Sequence, residues 1–192
     1  MSILVVAVAA LVITVGSSSS VYAINGHGSS YGPSFGGYTG TASTVTGTQV
    51  LFKDGLTINN KVFDISKPGT TIETQTVYAA LTNTITLKIY DNAGSNFIKG
   101  GAIFFNLHGS QPKMSDSDTW IQFDKFGGLT ITDPHKILGT VTGKVSLNGK
   151  FMYVTFTIIP RLPMDTSDIM MTAWDNNLSR STTSVIDAIK IV

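Results

Sequence analysis

Ile85, Leu87 and Ile89 alternate with Thr86, Lys88 and Tyr90, and the same two-residue period returns at Ile103, Phe105 and Leu107, at Met152, Val154, Phe156 and Ile158, and at Ile169, Met171 and Ala173. Alternate side chains of an extended chain leave on opposite faces, so each run builds a strand with one apolar face. Nowhere does a capped segment carry a 3.6-residue period long enough to predict a helix. Such a chain can bury its apolar faces only by packing sheet on sheet.

Turn chemistry divides the runs. Asn59-Asn60 stands between Leu56 and Ile58 on one side and Val62, Phe63 and Ile65 on the other, and predicts a tight hairpin, since Asn tolerates the positive φ such turns need. Asp91-Asn92-Ala93-Gly94 ends the run at Tyr90, and Asn148-Gly149 predicts a two-residue hairpin loop. A last strand is expected at Val185, Ile186, Ile189 and Ile191. Short strands between turn signals predict an all-β fold, an antiparallel immunoglobulin-like β-sandwich. The Cys-Trp-Cys spacing of true immunoglobulin domains is absent, so the expectation concerns architecture alone.

The 192 residues suffice for one domain with a sizeable core. Residues 1–23 carry no charged side chain; their apolar run, Ile3 to Val15, is followed by small residues, with Val21 and Ala23 in a small-x-small cleavage pattern. We read a secretory signal peptide, the run being short of the ~20 residues of a membrane span. Residues 24–47, rich in Gly, Ser, Thr and Tyr, predict a flexible amino-terminal arm with Tyr31, Phe35 and Tyr38 available to bury against a partner. The sandwich is then expected over 48–192. With 13 Lys plus Arg against 12 Asp plus Glu, the formal charge is +1, which argues against nucleic acid as a partner. Without cysteine there is no disulfide framework, thiolate metal site or cysteine nucleophile.

Candidate chemistry is sparse. In MDTSDIMMTAWDNN, Asp165, Asp168 and Asp175 are candidate metal ligands, because hard cations such as calcium take carboxylate and amide oxygens. Weaker acidic sets are Asp116 with Asp118, and Asp91 with Asn92 and Asn96. None matches a calcium loop of the D-x-[DN]-x-[DN]-G kind, and turn capping at strand ends explains the same residues without an ion. We therefore expect no cofactor, with calcium as the alternative. His27, His108 and His135 have no metal-ligand spacing, and neither a G-x-S-x-G elbow nor a P-loop is present, so no enzyme is expected. Trp120 and Trp174 are expected in core or inter-sheet packing, and Asn177-Leu178-Ser179 is a glycosylation sequon at an expected loop.

HGSSYGPSF after the leader, then SDSDTWIQFDK, DPHKILG, MDTSDIMMTAWDNNLSR and a final DAIKIV, together resemble a group of secreted β-sandwich proteins from ammonia-oxidising archaea of the thaumarchaeal lineage. The resemblance covers nearly the whole mature chain and implies export to the cell envelope and a β-sandwich body; it supplies no catalytic residues to carry over. Members of that group often continue into a sorting signal with a membrane helix; a chain ending at Val192 is expected to be released or assembled, without a span in its mature part. The expected role is an exported cell-surface structural or interaction module with a protein partner or self-association. Assembly would proceed by strand addition of the arm, for which Thr41 to Val50 has the β-branched alternation.

Overall fold

The structure, a computed structural model, describes residues 49–109 and 111–192. The signal peptide at 1–23, the arm at 24–47 with its aromatics and His27, and most of the Thr41 to Val50 donor segment lie outside the described residues. Gln49 and Val50 lie within them, and Val50 opens a strand of its own sandwich.

Twelve strands follow in chain order: β1 (Val50–Ile58), β2 (Lys61–Phe63), β3 (Thr70–Thr71), β4 (Gln75–Val77), β5 (Asn83–Asp91), β6 (Ile98–Leu107), β7 (Thr119–Asp124), β8 (Leu129–Thr132), β9 (Thr140–Asn148), β10 (Phe151–Ile159), β11 (Met164–Asp175) and β12 (Arg180–Ile191). The only helical turns among the described residues are single 3-10 turns at Ser95–Phe97 and Met114–Asp116. One sheet runs β2-β1-β5-β10-β9; the other runs β3-β12-β11-β6-β7-β8, with β4 also on β12. This is the expected two-sheet sandwich. One edge departs from a purely antiparallel plan: β3 and β4 pair in succession with β12 and run parallel to it.

Local chemistry accounts for the hairpins. Asn59 and Asn60 hold φ of 45° and 70°, so Ile58 pairs with Lys61 across a primed two-residue turn. At the other predicted hairpin the loop is Gly149-Lys150, because Asn148 stays in the ladder opposite Phe151 and Gly149 supplies the positive φ of 59°. The loop lies one residue later than Asn148-Gly149 suggested.

The alternating residues meet between the sheets. Ile85, Leu87 and Ile89 of β5 and Met152, Val154, Phe156 and Ile158 of β10 face Ile103, Phe105, Ile121, Phe123, Ile169, Met171 and Val185 from the opposite sheet. The Phe123 and Phe156 rings cross this gap edge to face at 5.7 Å. A second apolar cluster, Ala102, Phe104, Leu107, Met114 and Met170, lies apart from this core, with Trp120 packed on it. Met170 and Met171 thus serve two different clusters, as neighbours on a strand must. Trp120 and Trp174 are only half-buried and neither joins the inter-sheet core: Trp120 sits beside Phe104 at 6.2 Å, and Trp174 lies under Arg180 at 5.6 Å.

Candidate functional site

Two strands end in the same triplet type. β5 closes on Tyr90-Asp91-Asn92 and β11 on Trp174-Asp175-Asn176, each an aromatic residue, an aspartate and an asparagine at a chain reversal. Each aspartate makes the turn that its residue type favours. Asp91 Oδ1 accepts the Ala93 N–H at 2.7 Å, while Asp175 Oδ1 accepts the N–H groups of Asn177 and Ser179, both at 2.8 Å.

The fold then brings the two turns together. Val50 stands opposite Asp91 in the β1–β5 ladder, and its N–H donates to Ser179 Oγ at 3.3 Å, within the turn that Asp175 caps. Asn176 N–H donates to Phe97 O, just beyond the Asp91 loop, at 2.9 Å. Both carboxylates are fully buried. Burial pushes the Asp91 carboxyl up, the Ala93 N–H opposes that, and the neighbouring Asp175 charge adds to the rise. Ser179, the hydroxyl of the sequon, is itself buried in this arrangement.

The three aspartates read from the sequence as candidate ligands are not brought together. Asp165 is exposed, whereas Asp168 and Asp175 are buried far apart on β11, opposite Leu107 and Ile98 respectively. Seven residues of strand separate them by roughly 23 Å. No group of three or more His, Cys, Asp or Glu side chains able to hold a metal occurs among the described residues. The sequence showed the Asp-Asn repeat, but the approach of Asp91 to Asp175 depends on how two sheets stack.

Asp168 has a different setting. Its Oδ1 accepts the Asp187 N–H at 2.7 Å, where β12 is bulged and Asp187 takes a φ of 52°, and its Oδ2 is buried without a hydrogen bond. Burial raises its pKa first of all; the Asp187 N–H lowers it, the Asp187 charge raises it, and His108 lowers it. A carboxyl whose folded pKa is raised holds its proton longer folded than unfolded. Stability therefore falls as pH climbs from the ordinary 3.8 to the raised value, and stays lower above it. Asp168→Asn keeps an oxygen for the Asp187 N–H and removes the charge. Its melting temperature is expected to gain on the wild type as pH rises from about 4 and then to keep a constant lead once Asp168 has ionised in the folded protein; a difference that never changes with pH would show that Asp168 does not titrate this way.

At this second end of β6 and β11 the described histidines join one polar chain. His135 Nε2 lies 2.6 Å from Asp118 Oδ2, Asn106 Nδ2 donates to Asp118 Oδ1 at 3.1 Å, and His108 reaches Asn106 Oδ1 at 3.3 Å and Thr166 O at 3.0 Å. Burial would raise the Asp118 carboxyl, but its bonds from Asn106, Thr119 and His135 together hold it below the ordinary value. The sequence left Asp118 and His135 unconnected; the β7–β8 hairpin, which sets Trp120 opposite Thr132, brings them to the same end. Both side chains are about half exposed. Beside them a groove of about 700 Å³ runs between Asp133, Lys136, Thr140, Ile159 and Arg161. Asp133 accepts the Ile137 and Leu138 N–H groups with its two carboxylate oxygens, and Lys136 and Arg161 line the same groove.

The sheet edges differ sharply. β2, β3, β4 and β8 are two to four residues long. β9 has nine residues, is mostly exposed, and bonds to β10 on one side with no described strand on the other. These features define a cysteine-free all-β sandwich whose polar clusters lie at the strand ends. No known protein family and no curated protein matches the chain.

Proposed function

We propose that the protein is an exported, non-catalytic structural or interaction module of the cell surface that assembles with further copies of itself by strand addition. The observation that carries this reading is the open β9 edge. Folded proteins keep sheet edges short, charged or covered, because a long free edge pairs with other chains. Four of the edge strands here obey that rule, and Thr140–Asn148 does not, having nine residues, one lysine, no proline and no described strand on its outer side. An arm of β-branched residues from a neighbour fits such an edge through main-chain hydrogen bonds. With Val50 committed to β1, the donor reduces to Thr41 to Thr48, still long enough to cover most of β9.

Hairpin geometry supplies a selective test. In a two-residue hairpin the closing pair, Asn148 and Phe151, is the hydrogen-bonded one. Lys144 and Ser146 then bond to β10, while Val145 and Leu147 turn their N–H groups outward. Leu147, 41% exposed, can be replaced by proline with removal of an outward donor only. Light scattering on the purified mature protein is expected to give a multiple of the chain mass, and both Leu147→Pro and deletion of 24–48 are expected to give folded monomers. Assembly that survives both changes would rule out strand addition on β9.

A further inference from the structure

We propose that Asp91 and Asp175 together bind one calcium ion at the end of the sandwich where β5 and β11 finish. The turn bonds described above engage only Oδ1 of each residue. Oδ2 of Asp91 and Oδ2 of Asp175 are both buried and accept no hydrogen bond from any described group. The two residues are 0% and 1% exposed, so bulk solvent does not screen them. The ion pairs of Lys61 with Glu73, Lys88 with Asp54 and His135 with Asp118 all lie outside this cluster. Arg180, next in sequence to Ser179, stacks on Trp174 instead.

Two buried carboxylates that act on each other are costly to keep charged and unpaired. A divalent cation between their free oxygens matches the charge of the pair and uses the donors that the turns leave over. The available donors are all oxygens, from carboxylate and backbone carbonyl, with neither imidazole nor thiolate in the two turns, which selects a hard ion over zinc or copper. With two carboxylates per ion the affinity belongs to the range of extracellular modules, ~10⁻⁴ to 10⁻³ M. The ion would fasten β1, β5, β11 and the start of β12 at one point, since Val50 and Ser179 already tie these strands there. This site is independent of strand addition and is tested on monomer stability.

The test uses calcium chloride. Equilibrium dialysis of the wild-type protein is expected to show one calcium per chain, and its melting temperature is expected to rise by several degrees between EGTA and 5 mM calcium, because an ion bound only by the folded state stabilises it. Asp91→Asn and Asp175→Asn keep an oxygen for the turn N–H groups and lose the charge, so each should bind calcium at least tenfold more weakly and gain clearly less melting temperature from it than the wild type does. The proposal is overturned if wild-type protein binds no calcium at 5 mM, or if both variants bind it as the wild type does. A pair that instead shares a proton would give a wild type indifferent to calcium, with variants as stable as or more stable than it in EGTA, and that result also overturns the proposal.

Discussion

Phe156→Ala is expected to lower stability by about 3–5 kcal/mol and the melting temperature by roughly 10 °C. Phe156 is wholly buried on β10, and its ring meets Phe123 of β7 from the opposite sheet at 5.7 Å. Truncation removes both the transfer energy of the ring and its packing partner, and the strands on either side cannot close the gap without breaking ladders that β10 shares with β5 and β9. Urea unfolding measures the effect; a loss below about 1 kcal/mol would mean that the sheets collapse freely onto the space.

Gly101→Ala acts on the same ring from the other direction. A Cβ on Gly101 would stand 2.4 Å from Phe123 Cζ and 2.4 Å from the Thr172 carbonyl oxygen. Neither obstacle can yield cheaply: the ring is fixed against Phe156, and the carbonyl belongs to β11, the strand paired with β6 on that side. The expected cost is about 1–3 kcal/mol or more, the range of an overpacked core. In a Phe123→Ala background the added methyl should cost less, because only the carbonyl clash remains. An equal cost in both backgrounds would place the whole strain on the backbone.

The residues legible in the sequence were those whose environment alternates. β5 has every second residue buried and its neighbours half-exposed, so Ile85, Leu87 and Ile89 announced the strand and its inward face. β9 shows little such contrast, since nearly all of its residues are exposed; only its hairpin signal was readable, and Gly149 shifted the loop by one residue. The central part of β11 is buried on both faces, which explains why Met170 reads as apolar as Met171 although they serve different clusters. β3 and β4 are too short to carry a period, so their parallel pairing with β12 had no local signature.

The candidate site followed the same division. Aspartates at strand ends were visible, and their turn role follows from residue type alone. Which aspartates approach one another was not visible, because Asp91 and Asp175 belong to different sheets and Asp168 lies a strand's length from Asp175. His135 and Asp118 likewise meet only through the β7–β8 hairpin. Local chemistry is written in neighbouring residues, whereas convergence is written in sheet order.

The directions of β1 and β12 have a mechanical consequence. Both strands start at the end where Val50 meets Ser179 and run the same way, so Val50 and Ile191 lie at opposite ends of the sandwich. Tension applied between those two points would run along the strands, and the β1–β5 and β11–β12 ladders would be strained in shear, many hydrogen bonds at once, and not peeled apart singly. A unit strung in this orientation resists stretching far better than one pulled from the two ends of a single hairpin.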